Sequence, residues 1–181
     1  MSKPFSVTGS QRMTITLQPI TADNWIQCIE LTPTDAQQQH GFVAPNVLSL
    51  AQSYAESWWR PHAIYADQTL VGFLLYGRWP AHGVPVHHGN IEPGTDYILR
   101  FMIAAQYQGR RYGHAALNAL VAQLRLDPQT WAIDVDYDRE NQVAAQLYRS
   151  CGFQPTGAVD LQSGEVRARL LVGAAAEHGG I

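Results

Sequence analysis

The residues most able to do chemistry lie at Gly109-Arg110-Arg111-Tyr112-Gly113, where two arginines stand between two glycines. Guanidinium groups pair with phosphate oxygens, and glycine lets the backbone approach an anion closely. A helical pattern of apolar residues begins near Tyr112. The first amides of a helix have no partner within the helix, and the helix dipole gives them a partial positive charge. These residue types at this spacing therefore predict a site for a phosphate group.

The elements that must position this turn are a strand before it and a helix after it. Residues 97–104 are predicted to be the strand, because they are rich in Tyr, Ile, Leu, Phe and Met. The helix is predicted from Leu117, Leu120, Val121 and Leu124, which recur at helical spacing. The turn has neither the Lys-Ser/Thr ending of a Walker loop nor the three-glycine spacing of a dinucleotide turn. A turn that caps the helix without binding a ligand is the alternative.

The turn resembles motif A of the GNAT superfamily of acyl-CoA N-acyltransferases, written Gln/Arg-x-x-Gly-x-Gly/Ala. The matching residues run from Gln108 to Gly113, and Arg111 stands where the family usually has glycine. We expect an ordinary helical dihedral at Arg111, where arginine fits without strain and adds a cation for a diphosphate. A positive φ at this position would instead strain the arginine by about 1–3 kcal/mol and weaken cofactor binding.

A second motif follows one strand later. The segment Asn141-Gln-Val-Ala-Ala-Gln-Leu-Tyr-Arg-Ser-Cys-Gly-Phe153 resembles motif B of the same superfamily, Asn-x-x-Ala-x-x-Leu-Tyr-x-x-x-Gly-Phe. Two motifs in the family's order are far more specific than either alone. The resemblance covers roughly residues 13–172 and is strongest to the bacterial spermine/spermidine acetyltransferase group.

The resemblance implies acetyl-CoA as co-substrate and a direct transfer of its acetyl group to an amine. It implies that the backbone of 101–103 holds the acyl-pantetheine and that the amides of 108–114 hold the pyrophosphate. Tyr148 is implied as the general acid for the leaving thiolate, although a half-buried aromatic residue on an apolar helix face is the alternative. The cofactor-binding residues that the resemblance implies are Phe101, Met102, Ile103, Gln108, Gly109, Arg110, Arg111, Tyr112, Gly113, His114, Asn141 and Ala144.

The base that deprotonates the amine is not assigned from the sequence. A polyamine nitrogen has a Lys-like pKa near ~10, so its neutral form costs about 4 kcal/mol at pH 7. Some members of the family have a glutamate a few residues before the acyl-binding segment, where this chain has Tyr97 with Asp96 beside it. A water relayed by Asp96 or by a backbone carbonyl stays open. Glu30 and Glu56 are candidate amine anchors, because the family's acceptor site is covered by this helical first third.

A run of acidic residues offers a further way to attract a polycation. Asp134 and Asp136 share one face of a predicted strand, and Asp138 and Glu140 follow it. A solvated strand edge with Asp138 as a helix cap is the alternative, and the pattern favours it.

The order of predicted elements gives an α/β fold. Strands are predicted at 13–18, 62–67, 69–76, 97–104, 131–137, 153–159 and 165–172, with helices at about 21–31, 33–39, 50–59, 112–124 and 141–151. The resemblance implies the GNAT fold, a mixed and mostly antiparallel sheet of about seven strands with splayed central strands. We expect a flexible arm at 1–12, a single domain at 13–172 and a flexible tail at 173–181.

Composition excludes several classes of function. The 181 residues carry a net charge of −3, which does not suggest a nucleic-acid or anionic-membrane binder. Cys28 and Cys151 have no metal or disulfide spacing, so a cytoplasmic protein without a metal is predicted. His82, His87 and His88 lie in a loop rich in proline and glycine, predicted at 79–94. We expect this loop to move over the acceptor cleft rather than to bind a metal.

The sequence as a whole predicts an N-acetyltransferase that moves an acetyl group from acetyl-CoA to a primary amine. A polyamine such as spermine or spermidine is favoured by the resemblance. An amino acid, an aminoglycoside or a protein N-terminus is the first alternative, and a CoA-binding module without turnover is the second. Because many members of the family are dimers, a homodimer stays open.

Overall fold

The computed structural model describes residues 13–80, 92, 94–160 and 163–173. The predicted arm at 1–12, the tail from residue 174 onward, and His82, His87 and His88 lie outside the described residues. The described elements are, in chain order, β1 (Ile15–Pro19), α1 (Trp25–Glu30), α2 (Asp35–Gln39), α3 (Asn46–Ala55), β2 (Trp59–Ala66), β3 (Thr69–Arg78), β4 (Asp96–Ile103), a 3-10 turn (Ala105–Tyr107), α4 (Tyr112–Leu124), β5 (Ala132–Tyr137), α5 (Gln142–Ser150), β6 (Gln154–Val159) and β7 (Val166–Leu171).

The strands form one seven-stranded sheet in the order β1-β2-β3-β4-β5-β7-β6. Every neighbouring pair is antiparallel except β4 and β5, which run parallel. β4 pairs with β5 only over 96–98, although β4 continues to Ile103 and stays paired with β3. The predicted α/β fold, with a mixed, mostly antiparallel sheet whose central strands splay, is therefore confirmed.

Two apolar cores cover the two faces of the sheet. The larger core joins α4 and α5 to the sheet through Leu117, Leu120 and Tyr148. The smaller core lies on the α1–α3 side and includes Cys28 and Trp59. Burial on both faces explains why the central strands read as continuous apolar runs rather than as an alternation.

The predicted helix at 50–59 extends four residues too far toward the C-terminus. α3 stops at Ala55, and Trp59 begins β2 with Pro61 inside that strand. The indole of Trp59 packs against Trp79 and Tyr97, with ring centroids 6.1 and 6.2 Å away, and its Nε1 donates to Glu56. These distant partners place Trp59 in the sheet despite its helical spacing.

The first residue of α1 also differs from the prediction. Asn24 is the N-cap residue, and its Oδ1 accepts a hydrogen bond from the amide of Thr21 at 2.8 Å. The helix predicted from about residue 21 therefore begins at Trp25. None of the described helices is long and apolar enough to cross a membrane.

Candidate active site

The divergence of β4 and β5 opens a gap that exposes main-chain groups of β4. The amide of Ala104 bonds to β3 at 2.9 Å, and the carbonyl of Met102 faces Gly72 of β3. Because the polar groups of successive residues point to opposite edges of a strand, those of Phe101 and Ile103 point into the gap. The prediction is corrected at Met102, whose backbone groups face β3 instead.

The turn before α4 presents a row of backbone N–H groups. Within the described part of the chain, no acceptor bonds to the amides of residues 109–114. Gly109 has φ +74°, a conformation that side chains disfavour, and a Cβ there would meet no atom within 4 Å. The amides also open a thirteen-residue helix, so they carry the positive end of its dipole. This arrangement can bind an anion, as predicted.

Gln108 differs from its predicted role as an amide donor. Its backbone N–H already donates to the carbonyl of Ala105. Its side-chain Nε2 donates to Oε1 of Gln37 and to the carbonyl of Ile103, both at 2.8 Å. Gln108 therefore ties the turn to α2 and to the end of β4, and it positions the amides that follow.

Arg111 has φ +61° and ψ +13°, so the expectation of an ordinary helical dihedral is wrong. The residue is the N-cap of α4, and a left-handed conformation there disposes the preceding and following amides toward one side. An L-residue other than glycine is disfavoured in this conformation by roughly 1–2 kcal/mol. This explains why glycine is usual at this place in the motif.

α5 supplies the two predicted motif B residues. Oδ1 of Asn141 accepts a hydrogen bond from the amide of Ala144 at 3.0 Å, so Asn141 caps the helix and leaves its Nδ2 for other partners. Tyr148, 6% exposed, packs against Tyr137 and Phe153. Burial raises the pKa of the Tyr148 hydroxyl above its ordinary value, so this group keeps its proton at neutral pH.

Two cavities open on either side of the gap. One, which we call the cleft, has a volume of about 560 Å³ and runs from the gap to the turn before α4. The other, which we call the acidic cavity, has a volume of about 520 Å³ and lies against β4, β5 and the connection between β6 and β7. Their common wall consists of Val43, Phe101, Asn141, Ala144 and Tyr148. Of the predicted site residues, all but Arg110 line the cleft. Arg110 instead places its guanidinium over the ring of Tyr107, 5.9 Å from its centroid.

The acidic cavity is lined by Asp136, Asp138, Asp160 and Glu165. Asp136 forms a bidentate pair with Arg167 at 2.7 and 2.8 Å. Arg100 of β4 also lines the cavity, and burial lowers its pKa. Carboxylates therefore outnumber guanidiniums around this cavity, and it suits a cationic ligand.

Several acidic residues lie elsewhere than the sequence suggested. Asp134 is fully buried and held by Arg169, so β5 is not a solvated edge. Asp96 is bound by Arg78 and Thr130, each at 2.7 Å, and it does not line the acidic cavity. The relay through Asp96 is therefore wrong.

The two glutamates that the sequence suggested as amine anchors do not lie in the acidic cavity. Glu56 is engaged with the indole of Trp59 at 2.6 Å, and neither it nor Glu30 lines the cavity. The first third of the chain instead contributes the segment 41–44 to the cavity wall.

Sequence reasoning missed Asp160 and Glu165. Both flank the turn of the closing hairpin formed by β6 and β7, where Gly164 has φ +76°. The one signal in the sequence is an acidic residue on each side of Ser163-Gly164. Nothing in that pattern shows that the hairpin folds back toward β4 and β5.

Neither a metal nor a nucleophilic cysteine is indicated among the described residues. Within them, no group of three His, Cys, Asp or Glu side chains could hold a metal ion. Burial raises the pKa of Cys28 to about 11 and raises that of Cys151 as well. Both thiols are therefore poor nucleophiles at neutral pH.

Comparison with known proteins agrees with this geometry. The model of the acetyltransferase (GNAT) family matches residues 25–153. The spermine/spermidine N(1)-acetyltransferase of Bacillus subtilis strain 168 is 26% identical over 159 residues, which cover 88% of this chain and 100% of that protein. The probable spermine N(1)-acetyltransferase of B. subtilis subsp. natto strain BEST195 matches at the same identity and coverage.

Solved structures share the fold at low sequence identity. AAC(6')-Ib in complex with ribostamycin and coenzyme A superposes with a TM-score of 0.72 at 19% identity, over 87% of this chain and 93% of that one. RimL, a ribosomal L7/L12 alpha-N-protein acetyltransferase, in complex with coenzyme A gives a TM-score of 0.59 at 13% identity, over 88% and 94%. The fold, both motifs and the family match lead to one conclusion: the chain belongs to the GNAT acetyltransferase family and is an acyl-CoA-dependent N-acetyltransferase.

Proposed function

We propose that this enzyme transfers the acetyl group of acetyl-CoA to a primary amine of a polyamine such as spermine or spermidine. The observation that carries the proposal is the meeting of the cleft with the acidic cavity at Tyr148. One side offers free amides for a diphosphate, the other offers carboxylates for a polycation, and a protonated hydroxyl lies between them. The curated relatives, which are named for spermine and spermidine, support the same acceptor.

The residues of the cleft fit acetyl-CoA, which supplies a reactive thioester when bound. The amides of 109–114 would bind the diphosphate, since they are unpaired among the described residues and lie at a helix N-terminus. The backbone groups of Phe101 and Ile103 would hold the pantetheine arm as an added strand. Nδ2 of Asn141 lies on the wall between these two parts and would bond to a pantetheine carbonyl.

Tyr148 is proposed as the general acid. As the amine attacks the thioester, negative charge develops on the leaving sulfur, and a hydroxyl nearby can donate its proton. Burial ensures that Tyr148 carries this proton throughout the neutral pH range. Its place in the common wall of the two cavities puts it between the acceptor and the thioester.

The acidic cavity is proposed as the acceptor site. A polyamine carries several ammonium groups, and each carboxylate in a partly desolvated cavity attracts them more strongly than it would in water. Asp138 and Glu165 have no guanidinium within salt-bridge distance among the described residues, so their charge is available to a ligand. An aminoglycoside is also a polycation and is the second candidate, since AAC(6')-Ib with bound ribostamycin shares the fold.

The test is the rate of thiol release from acetyl-CoA over a panel of amines at equal concentration. The panel contains spermine, spermidine, kanamycin, a neutral amino acid amide and a short peptide with a free N-terminus. We expect kcat/KM to be at least tenfold higher for spermine or spermidine than for the singly charged amines. A higher value for kanamycin than for both polyamines would assign the enzyme to aminoglycosides. Tight acetyl-CoA binding without thiol release on any amine would instead indicate a binding module.

A further inference from the structure

We infer that Glu165 is the base that takes the proton from the acceptor ammonium. This inference rests on the proposed acetyl transfer to an amine, and it extends that proposal to the residue that the sequence left unassigned. Glu165 lines the acidic cavity together with Tyr148, so the two side chains face the same space. The cavity thus has both a proton acceptor and a proton donor among the residues that line it.

The closing hairpin fixes the position of Glu165. The amide of Asp160 donates to the carbonyl of Glu165, and the amide of Gly164 donates to the carbonyl of Asp160, both at 2.8 Å. Gly164 has φ +76°, which lets the chain reverse within this short turn. Oγ of Ser163 donates to Oε2 of Glu165 at 3.2 Å and orients the carboxylate. Glu165 is therefore held by the backbone rather than by a long free loop.

The other three carboxylates of the cavity accept hydrogen bonds from backbone amides or from a guanidinium. Arg167 binds both oxygens of Asp136. Oδ1 of Asp160 accepts a hydrogen bond from the amide of Ser163 at 2.8 Å. Oδ1 of Asp138 accepts a hydrogen bond from the amide of Glu140 at 2.7 Å. Of these four carboxylates, only Glu165 receives no more than one weak hydroxyl bond and no guanidinium pair among the described residues.

The surroundings of Glu165 also suit proton transfer. The titratable and charged groups that act on Glu165 or share its cavity come from β4, β5, α5 and the connections that follow β5 and β6. They are Tyr97, Arg100, Asp136, Tyr137, Asp138, Tyr148 and Asp160. Burial raises the pKa of Glu165 above its ordinary value; Asp136 and Asp160 also raise it, while Ser163 and Arg100 lower it. A carboxylate with a raised pKa is a stronger base, and Glu165 lines the cavity where it can meet a ligand.

The proton balance of the step is complete. Glu165 takes one proton from R–NH₃⁺, and the freed nitrogen lone pair forms a bond to the acetyl carbonyl carbon. The C–S bond then breaks, and the sulfur takes the proton of Tyr148. The nitrogen loses its second proton to the Tyr148 oxygen, through water, which restores the hydroxyl. Glu165 releases its proton to solvent, so the products are the N-acetylamine, the free thiol and one proton.

The test compares Glu165→Gln with Glu140→Gln, an identical chemical change at an exposed residue that does not line the acidic cavity. With spermidine at pH 7, we expect Glu165→Gln to lower kcat at least about a hundredfold, as loss of a general base does, and to change KM little. Glu140→Gln should stay within about twofold of the wild type, as for most substitutions of exposed side chains that line neither cavity. Calorimetry with acetyl-CoA checks that Glu165→Gln remains folded, and its affinity should match the wild type.

The pH dependence separates a base from a residue that only attracts the amine. The neutral fraction of an amine with a pKa near ~10 rises about tenfold per pH unit below that value. The defect of Glu165→Gln should therefore shrink steadily between pH 7 and pH 9. In the wild type, kcat should fall as pH drops through the raised pKa of Glu165, because the carboxylate is lost there. A defect confined to KM, or a defect in kcat that is constant with pH, would overturn the inference.

The two proposals can fail separately. If the wild type prefers another amine of the panel, the polyamine assignment fails, and the same two variants test Glu165 on that amine. If spermidine is acetylated and Glu165→Gln keeps kcat within threefold, the base is not Glu165 and the polyamine assignment stands. If Glu165→Gln does not fold, the low-pH side of the wild-type kcat profile provides the test. A kcat that stays constant down to pH 4.5 would exclude Glu165 as the base. If the wild type acetylates no amine, both proposals fall.

Discussion

The cleft and the acidic cavity share a wall, but they are built from different parts of the chain. The cleft is made largely of main-chain groups, namely the gap edge of β4 and the amides of 109–114. The acidic cavity is made of side chains from β4, β5, α5 and the closing hairpin, and one of them, Asp136, is in a buried ion pair. A surface of amides needs a particular backbone path, whereas a surface of carboxylates needs particular partners for each charge.

This difference determines which substitutions each of the two regions can accept. Amides are supplied by every residue except proline, so the cleft depends on glycines and on dihedral angles rather than on side-chain identity. A buried carboxylate depends on its guanidinium, because an uncompensated charge is far less stable in a cavity than in water. We therefore expect loss of an arginine to act on binding in the cleft and on folding in the acidic cavity.

Arg167→Met should produce the largest effect, about 3–5 kcal/mol off the free energy of unfolding, because it leaves Asp136 buried without its partner. The side chains of this pair are 8% and 4% exposed, and the pair is bidentate. The measurement is urea unfolding followed by circular dichroism.

The matched control is Arg110→Met, the same chemical change in the exposed turn beside the cleft. Its free energy of unfolding should change by less than about 0.5 kcal/mol, as for most surface substitutions. Equal losses in the two variants would break the contrast between the regions. The double variant Arg167→Met with Asp136→Asn should regain stability, because it no longer contains an unpaired buried carboxylate. That result would support the contrast between the two regions.

The same contrast governs how much the sequence could predict. The cleft is built around two contiguous motifs, so every predicted site residue except Arg110 lines it, and the remaining errors concern backbone direction. Met102 faces β3 and Gln108 has its amide bonded to Ala105, details that depend on pleat and turn geometry. The dihedral angle of Arg111 was predicted wrongly, because a single left-handed residue does not change the spacing of apolar residues in the sequence.

The acidic cavity could not be assembled from sequence. Asp160 and Glu165 reach Tyr148 only because β7 inserts between β5 and β6, a pairing over long separations. Trp59 illustrates the same limit in the fold: its helical spacing was outweighed by rings at Trp79 and Tyr97. The order of strands and helices along the chain was nevertheless predictable, since strand and helix patterns alternate clearly in the sequence.

Tyr148→Phe should lower turnover at least tenfold, which corresponds to about 1.4 kcal/mol in the activation barrier. The change removes only a hydroxyl, which has no hydrogen-bond partner among the described residues, so stability and acetyl-CoA affinity should be nearly unchanged. Steady-state kinetics with the preferred amine measure the turnover, and calorimetry measures the affinity. Unchanged turnover would remove Tyr148 from the mechanism and leave the shared wall without a proton donor.

Arg111 allows the smallest and most specific test, since it separates the backbone of the cleft from its charge. Arg111→Gly and Arg111→Ala both remove the guanidinium, but only glycine relaxes the left-handed dihedral at φ +61°. We expect the glycine variant to be more stable than the alanine variant by about 1 kcal/mol, measured by urea unfolding.

The affinity of Arg111→Gly for acetyl-CoA should stay within a few-fold of the wild type, because the same dihedral is required before and after the diphosphate binds. One cation is lost, but the amides of 109–114 are kept. A tenfold gain in affinity would mean that the arginine strains the bound state and that the turn must change on binding. Equal stability of the two variants would mean instead that residue 111 leaves the left-handed region in solution, and the cleft would then not be a preformed row of amides.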